Sequence, residues 1–283
     1  MHRYTVTIED GPIDFDRIAR SGQMFRWVIT ETGWTAHDGG NVYHLCQTQD
    51  QRFEIESNQD ETAFRSLLRL ETPHDQKLDL IRSRGPEIEP YLVARQGLRL
   101  LRPHSRAETL FSFLCSSCNH ISRITGMVWH LANLGENGFP DVESIAKVSE
   151  SQLRALGFGY RGASIPKVAA ILAANGGEKY LDQLAGGDYL DARNELVAMP
   201  GIGKKLADCI CLFALDHGEA VPIDTHIWQV LTRLYYPEWE GTSLTDRKYD
   251  HAAGAFRDRF GEFAGAAHQF LFVDNMERYR ERK

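Results

Sequence analysis

The stretch that decides the fold is Met199–Trp228, MPGIGKKLADCICLFALDHGEAVPIDTHIW. It begins with a Pro-Gly-x-Gly turn, in which the glycines are free to adopt positive φ angles. Apolar residues at helical spacing follow at 206–215, and residues 190–197 before the turn also have a helical pattern. The segment at about 190–216 therefore predicts helix, hairpin, helix. Its turn N–H groups and the positive end of its second helix suit an anion such as a nucleic-acid phosphate.

Lys205 and Asp224 are the candidates for chemistry next to this hairpin. Lys205 falls in the first turn of the second helix, where the helix dipole disfavours its positive charge, and burial adds to that effect. We therefore expect its pKa to be lowered, because a neutral amine is a nucleophile and an ammonium is not. Asp224 has a side chain favoured at helix N-caps, so it is expected to cap the helix that begins at Thr225.

An ordinary solvated lysine is the alternative for Lys205, since most lysines are exposed. Its neighbour Lys204 has the same side chain, but helical phase separates the two. Lys204 and Asp208 are spaced as i,i+4 neighbours that pair at a helix surface, whereas Lys205 shares its side of the helix with Cys209. The phase therefore predicts a surface position for Lys204 and a position beside Cys209 for Lys205.

Residues 196–228, LVAMPGIGKKLADCICLFALDHGEAVPIDTHIW, resemble the helix-hairpin-helix superfamily of DNA glycosylases, and within it the 8-oxoguanine DNA glycosylase/AP lyase family. The family's G-[IV]-G-x-K hairpin, A-D-C-I-C helix and V-P-[IV]-D-x-H-x-W segment all have counterparts here. The resemblance extends over residues 21–274, where it is carried by SGQMFRW at 21–27, FLCSSCNHISRITGM at 113–127, FPDVESIAKV at 139–148, LGFGYRG at 156–162 and AGAAHQFLF at 264–272.

The resemblance implies a bifunctional enzyme of base excision repair that acts on a nucleotide turned out of the duplex. Lys205 then forms a Schiff base with the sugar and expels 8-oxoguanine, opposite cytosine, before β-elimination nicks the strand. Asp224 stabilises the sugar cation and assists proton transfer to or from the lysine. As implied by the family, this is a DNA N-glycosylase with AP lyase activity.

The resemblance also assigns a base pocket. The Gly22 carbonyl accepts the N7–H found only on 8-oxoguanine, and Cys209 and Phe272 cover the two faces of the base. His268 stands where the family has a glutamine that hydrogen-bonds the Watson–Crick edge, and a neutral histidine offers one donor and one acceptor there. A turn glycine is the alternative for Gly22, and a core aromatic is the alternative for Phe272.

A second implied group of residues recognises the opposite strand. Arg123, Tyr160 and Arg161 match the family residues that fill the hole left by the base and hold the opposite cytosine. Cys118, followed by Asn119, stands where the family has an asparagine after its C-S-S. This is a departure at the point where the opposite base is recognised.

Phosphate contacts are expected at the hairpin glycines Gly201 and Gly203 and, by resemblance, at His226, for which a core histidine is the alternative. The resemblance further implies that hairpin carbonyls hold a monovalent or calcium ion that bridges to phosphate. No organic cofactor and no other metal site is expected. Cys115 and Cys118 form a C-x-x-C pattern, but they are better interpreted as small buried apolar residues.

The 283 residues carry a net charge of −7, with a pI of about 5.9, which taken alone argues against a nucleic-acid partner, so we do not rest DNA binding on global charge. Backbone N–H groups and a few arginines are then expected to hold the DNA, with a shallow dependence on salt. No run of eighteen apolar residues and no targeting signal is present. We expect a monomer whose partner is double-stranded DNA containing oxidised guanine, with no membrane contact. We expect it in the cytoplasm, at the nucleoid if the organism is bacterial.

The predicted fold class is α+β. Residues 1–100 predict an antiparallel β-sheet domain with flanking helices, because Tyr4–Ile8 alternates and Asp38-Gly39-Gly40 signals a hairpin. Residues 101–283 predict an orthogonal all-α helix-hairpin-helix glycosylase bundle that carries the active site.

Two other functions remain open. One is a monofunctional glycosylase for alkylated purines, which uses the aspartate with water and needs no lysine. The other is a non-catalytic helix-hairpin-helix DNA-binding protein. The joint presence of Lys205, Cys209 and Asp224 at the family's spacing favours the bifunctional enzyme over both.

Overall fold

A computed structural model describes residues 1–281, so the last two residues of the predicted helical domain, 282 and 283, lie outside the described residues. The chain begins with one antiparallel sheet in the order β1-β5-β4-β3-β2, which confirms the predicted N-terminal sheet. Its strands are β1 (His2–Thr7), β2 (Trp27–Ile29), β3 (Trp34–Asp38), β4 (Asn41–Gln49) and β5 (Arg52–Ser57).

Helices make up most of the remainder, which confirms the α+β class. The α-helices are α1 (Phe15–Arg20), α2 (Glu61–Leu67), α3 (His74–Arg84), α4 (Glu89–Ala94), α5 (Arg106–Leu114), α6 (Ile121–Ala132), α7 (Val142–Ala146), α8 (Glu150–Ala155), α9 (Ile165–Ala174), α10 (Glu178–Gly186), α11 (Tyr189–Val197), α12 (Lys204–Phe213), α13 (Thr225–Tyr235), α14 (Asp246–Phe260) and α15 (Ala264–Glu281). Short 3₁₀ helices lie at Pro86–Ile88, Gly159–Ala163, Pro237–Trp239 and Gly261–Phe263. No helix within residues 1–281 is long and apolar enough to cross a membrane.

The predicted hairpin joins α11 to α12. Gly201 has a φ of +84°, in the region that favours glycine, and a Cβ there would lie 2.5 Å from the Ser164 hydroxyl oxygen. Gly203 is the extended N-cap of α12, and every α12 residue from Leu206 to Phe213 is buried. The hairpin therefore holds the start of α12 at the surface while the helix runs into the core.

Two hydrophobic clusters divide the interior. One joins the sheet and α1–α4 to residues 221–273 of the C-terminal helices, and the other is built mainly from residues 107–220. The C-terminal helices thus pack back onto the N-terminal sheet. The division into domains at residues 100 and 101 stays a prediction.

Some short helices were missed from sequence. α10 follows Gly176-Gly177, and Gly177 at a φ of +63° turns the chain before the helix begins. α1 has only six residues and is capped by the Asp14 side chain, which accepts a hydrogen bond from the Arg17 N–H. Six residues are too few for a clear helical period.

Gly265, in the first turn of α15, sets the distance between α15 and α12. A Cβ at this position would lie 2.2 Å from Leu212 Cδ1 and 2.9 Å from the Gly218 carbonyl oxygen. The Gly265 N–H donates to that carbonyl at 2.7 Å. Only glycine allows this approach, and the approach brings together the two helices that carry most of the site described below.

We predict that Gly265→Ala destabilises the protein by roughly 1–3 kcal/mol, because the added methyl group forces backbone or core side chains to move. Gly126→Ala is the matched control, since Gly126 is helical, exposed and has nothing within 4 Å of an added Cβ. The control should be neutral or stabilising by up to about 1 kcal/mol. Urea unfolding measures both, and equal midpoints for the two variants would contradict the packing argument.

His74 predicts a loss of stability in acid. Burial, and then the charge of Arg99, lower the pKa of His74 to about 3, and its ring stacks on Phe270. Because the unfolded chain takes up this proton near pH 6.5 and the folded protein does not, stability is lost as the pH falls below 6.5. Between pH 7 and pH 5 the loss from this residue should be about 2 kcal/mol. His74→Phe should lose that much less than wild type in urea unfolding, and identical pH dependence would show that His74 is not buried as a neutral ring.

Candidate active site

A cavity of about 350 Å³ opens between the turn at residues 21–25, the start of α6, α12 and α15. Eight of the predicted site residues line it: Gly22, Asn119, Lys205, Cys209, Asp224, His226, His268 and Phe272. The other six lie outside its lining, on the hairpin, on the loop before α6, in the first turn of α6 and in the 3₁₀ helix before α9: Cys118, Arg123, Tyr160, Arg161, Gly201 and Gly203. The structure therefore separates one enclosed pocket from two outer loop regions.

Lys205 is half-buried in the first turn of α12, and its side chain hydrogen-bonds Cys209 one turn further on. Burial lowers the pKa of Lys205, but Cys209 and Asp224 raise it more, so its pKa lies above the usual value. The predicted lowering of this pKa is wrong, because the effects of Cys209 and Asp224 together outweigh that of burial. The resting side chain is an ammonium at neutral pH.

Cys209 is the other partner in this contact, and its thiol is also protonated. Burial raises the pKa of its thiol to about 11, against the lowering effect of Lys205. Cys209 is therefore a neutral thiol at neutral pH, and the charge of the contact rests on Lys205. A neutral, polarisable sulfur suits a surface on which a flat base lies.

The predicted pairing of Lys204 with Asp208 is wrong. Lys204 instead contacts Asp250 of α14 at 2.7 Å, on the surface, and Asp208 is fully buried. The two lysines thus point in different directions, as predicted. Asp208, one turn along the helix from Lys204, instead forms its contacts inside the protein.

Asp208 joins three helices in the interior. Its carboxylate accepts hydrogen bonds from Tyr189 Oη at 2.6 Å, Tyr249 Oη at 2.5 Å and Arg193 Nε at 2.7 Å. The Tyr249 hydroxyl in turn accepts the Ile223 N–H at 3.3 Å, directly before Asp224. This chain of contacts fixes the Asp224 segment relative to α12. A single aspartate within an apolar helix was the available sequence signal for it.

Asp224 caps α13, as predicted, and also lines the cavity. Its Oδ1 accepts the Ile227 N–H at 2.9 Å, while the side chain is half-buried. The cap fixes the carboxylate at the start of the helix, beside Lys205. In a single conformation, Asp224 therefore both caps the helix and supplies a carboxylate to the cavity.

Gly22 occupies a rigid turn at the cavity wall, with a φ of +77°. A Cβ there would lie 3.3 Å from Ile121 Cδ1 of α6, which also lines the cavity. Gln23 ties the turn to the chain at residues 99–101, because its Nε2 donates to the Arg99 carbonyl at 2.9 Å and its Oε1 accepts the Leu101 N–H at 2.8 Å. The turn therefore presents backbone to the cavity from a fixed position.

His268 and Phe272 lie one turn apart on α15, with ring centroids 6.2 Å apart and planes 11° from parallel. His268 is buried, and its Nε2 lies 2.7 Å from the Pro222 carbonyl oxygen, to which it donates. Burial lowers the pKa of His268 to about 4, so the ring is neutral. Phe272 is only half-buried and faces the cavity, which does not fit a purely core aromatic.

His226 lies at the cavity and is half-buried, so the core alternative does not describe it. Its Nδ1 is 3.2 Å from the Asn275 side-chain nitrogen, and its ring meets Phe272 and Tyr279 edge to face at 6.3 and 5.6 Å. The C-terminal turns of α15 thus orient this ring. A phosphate contact remains a prediction for it.

The loop before α6 is held by Arg161, whose side chain is buried. The guanidinium donates to the Ser117 carbonyl oxygen and, at 3.4 Å, to that of Cys118, and it lies 4.5 Å over the exposed Tyr160 ring. Cys118 is exposed with a φ of +46°. Cys115 is buried, so the interpretation of both thiols as buried apolar residues holds for Cys115 and is wrong for Cys118.

Arg123 is exposed on α6 and donates to the Gly157 carbonyl oxygen at 3.3 Å. Asn119 bridges this loop to the cavity, since its Nδ2 donates to the Cys115 carbonyl oxygen at 3.0 Å. The loop residues therefore form a rim beside the cavity, with cationic and aromatic side chains at the surface.

Tyr279, near the end of α15, and three aromatic residues within the motifs of the family were missed from sequence as parts of the wall. Phe25, Phe113 and Phe213 line the cavity, and the Phe113 ring stacks on that of Phe213 at 5.2 Å with an angle of 13°. Gln269, next to His268, also lines it. The phenylalanines and Gln269 lie inside segments that carry the family resemblance, but from sequence an aromatic residue in a helix is indistinguishable from ordinary core.

Comparisons with known proteins identify the family of this chain. Residues 105–251 match the family of HhH-GPD superfamily base excision DNA repair proteins. The N-glycosylase/DNA lyase OGG1 of Arabidopsis thaliana is 32% identical over 275 residues, which cover 89% of this chain and 74% of the plant protein. The N-glycosylase/DNA lyase of Saccharomyces cerevisiae is 32% identical over 216 residues, covering 64% of this chain and 57% of the yeast protein.

Solved structures show the same fold. The structure of MBOgg1 in complex with a low affinity DNA ligand has a TM-score of 0.85 at 25% identity, over 98% of this chain and 96% of that one. The Clostridium acetobutylicum 8-oxoguanine glycosylase/lyase, in complex with double-stranded DNA containing cytosine opposite the lesion, has a TM-score of 0.81 at 24% identity, over 95% and 93%. The chain therefore belongs to the 8-oxoguanine DNA glycosylase/AP lyase family of the HhH-GPD superfamily.

Proposed function

We propose that this protein removes 8-oxoguanine from double-stranded DNA and then cleaves the strand at the abasic site that results. The observation that carries the proposal is the placement of an amine, Lys205, beside a carboxylate, Asp224, in a cavity with aromatic walls. A base inside a duplex cannot reach that amine, so the nucleotide must be turned out into the cavity. Gly22, Cys209 and Phe272 line the same space, and we assign them to the base as the resemblance implies.

The reaction begins with proton transfer, because the resting Lys205 is an ammonium. We assign acceptance of that proton to Asp224, whose carboxylate is its charged neighbour. The free amine forms a bond to C1′ as the bond from C1′ to N9 breaks. The base leaves with the electron pair of that bond and takes up a proton, for which Asp224 is the nearby donor.

Strand cleavage follows from the covalent intermediate. The nitrogen bound to C1′ then gives up a proton, the ring oxygen takes one up, and breaking the bond from C1′ to that oxygen leaves an iminium between Lys205 and the opened sugar. We assign acceptance of the C2′ proton to the Asp224 carboxylate; the electron pair of that C–H bond forms the C2′–C3′ double bond, and the 3′ phosphate leaves as an anion, which cuts the strand. Water finally hydrolyses the imine and frees the amine. Once it has given its proton to the leaving base, Asp224 is again a carboxylate, and its fixed position as a helix cap lets it stabilise the positive charge of the iminium without moving.

Recognition of the opposite base is proposed for the rim. Arg123 is exposed there, and a guanidinium donates to both acceptors of a cytosine edge. Arg161 is buried against the Ser117 and Cys118 carbonyl oxygens, so its support of the loop accompanies any contact it makes with DNA. Cys118 replaces the asparagine of the family and offers only a weak donor.

The partner proposed is double-stranded DNA, bound by one copy of this chain in a compartment that keeps thiols reduced. Gly201 and Gly203 are exposed at the hairpin and suited to phosphate. A monovalent or calcium ion at the hairpin stays a proposal. Residues 199–203 of the hairpin are Met, Pro, Gly, Ile and Gly, which have no side-chain oxygen. An ion there would therefore be held by main-chain carbonyl oxygens, a type of ligand that these cations accept.

Lys205→Gln should abolish both base release with nicking and the cross-link to lesion DNA that borohydride forms by reducing the imine. Lys204→Gln is the matched control, because Lys204 contacts Asp250 on the surface, and it should cross-link as wild type does. Gel electrophoresis of the borohydride-treated complex measures both. Undiminished trapping by Lys205→Gln would remove the lysine from the mechanism, and base release by wild type without nicking would favour the monofunctional alternative.

Release of free 8-oxoguanine should be fastest opposite cytosine when duplexes with each of the four opposite bases are compared. Arg123→Gln should lower the ratio of cytosine to adenine by ~10-fold, since a bidentate arginine contact contributes ~1–3 kcal/mol of discrimination. Cys118→Asn should raise the same ratio by restoring an amide. An equal slowing on all four duplexes by Arg123→Gln would place that residue outside opposite-base recognition.

A further inference from the structure

Gln269 is a polar residue of the cavity wall that the chemistry above does not use. It is 2% exposed and lines the cavity. Its Nε2 donates to the Ser21 carbonyl oxygen at 3.3 Å, across 248 positions of sequence. This contact joins α15 directly to the turn that holds Gly22. A buried amide in such a place is costly unless its hydrogen bonds are used.

His268, the preceding residue, has no polar atom to offer the cavity. Its Nε2 is bound to the Pro222 carbonyl oxygen at 2.7 Å. Its Nδ1 is sealed from solvent and has no hydrogen-bond partner within residues 1–281. What His268 contributes is therefore a neutral ring, stacked in parallel with Phe272.

Gln269 differs from His268 in its remaining polar atom. With Nε2 bound to Ser21, the acceptor Oε1 is left over, and it receives no hydrogen bond from any of the residues that the structure describes. Oε1 is also absent from the set of sealed, unpartnered side-chain atoms, to which His268 Nδ1 belongs. Because the residue lines the cavity, its open atom faces that space.

We propose that Gln269 is a specificity-determining residue of the base pocket, with Oε1 accepting a hydrogen bond from the everted base and Nε2 holding the turn that aims the Gly22 carbonyl. This inference rests on the proposed function. An acceptor selects for a donor, and once the N7–H is taken by Gly22, 8-oxoguanine still offers N1–H and its 2-amino group. 8-Oxoadenine keeps the N7–H but lacks both of these donors, and its one Watson–Crick donor, the 6-amino group, stands where 8-oxoguanine has O6. Gln269 should therefore favour 8-oxoguanine over 8-oxoadenine.

The test compares the Kd values of two duplexes, one containing 8-oxoguanine and one containing 8-oxoadenine, in the Lys205→Gln background so that neither is consumed. Adding Gln269→Leu should lower the preference for 8-oxoguanine by ~10-fold or more, because a site built for a hydrogen bond discriminates through it. Both duplexes are measured on one preparation, so a smaller folded fraction cancels from the ratio. Gln183→Leu, the same change at an exposed residue of α10, should leave the ratio unchanged.

Three results would overturn the inference. The first is a ratio of the two Kd values that Gln269→Leu leaves unchanged. The second is a ratio near one before that change. The third is loss of the preference in His268→Leu but not in Gln269→Leu, which would place base recognition at position 268. Failure of the proposed function has a different signature. In that case wild type releases no 8-oxoguanine, whatever the two Kd values show.

Discussion

An ammonium beside a carboxylate, set into a wall of aromatic side chains, is the constraint around which this protein is built. Burial lowers the pKa of Lys205, and Cys209 together with Asp224 reverses that effect, so the amine is held as a cation. Removing the Lys205 ammonium from water costs free energy, and its contacts with Asp224 and Cys209 offset that cost only while both residues stay in place. The cap of α13, the Asp208 contacts and the close packing at Gly265 all act to keep them there.

The same constraint explains why different sides of α12 have different roles. Residues on one side reach the cavity, whereas Asp208, on another side, gathers hydroxyl and guanidinium groups from α11 and α14. Through the Tyr249 hydroxyl, this buried carboxylate also touches the segment that leads to Asp224. The lysine and the aspartate are far apart in sequence, and their relative position is set by a polar network rather than by apolar contacts alone.

Local patterns in the sequence predicted the fold well where they are strong. The alternation of the first strands, the glycine hairpin and the cap at Asp224 each depend on neighbouring residues, and each was found in the structure. What could not be predicted depends on distant contacts. The pKa of Lys205 reflects a carboxylate from another segment, and the partner of Lys204 comes from α14. Side-chain orientation within α15, which separates His268 from Gln269, is likewise a tertiary property.

The overall charge of −7 is compatible with a DNA-binding face, because several of the acidic side chains are paired with arginines. Buried Glu108 and Asp274 bind arginines, and Asp216 joins Arg69 and Arg102. The rim beside the cavity instead presents Arg123 and Tyr160 at the surface. A small footprint of this kind relies on shape and main-chain groups, and net charge is a poor guide to it.

The contact between Gln269 and the Ser21 carbonyl affects when the cavity can form during synthesis and folding. The cavity is lined by segments 248 positions apart in sequence, so a ribosome must synthesise both of them before any pocket exists. Contacts of such long range form late and slow folding. A nascent chain in which the hairpin has been made but α15 has not therefore offers no place for a nucleotide to enter, and translation itself delays the onset of activity.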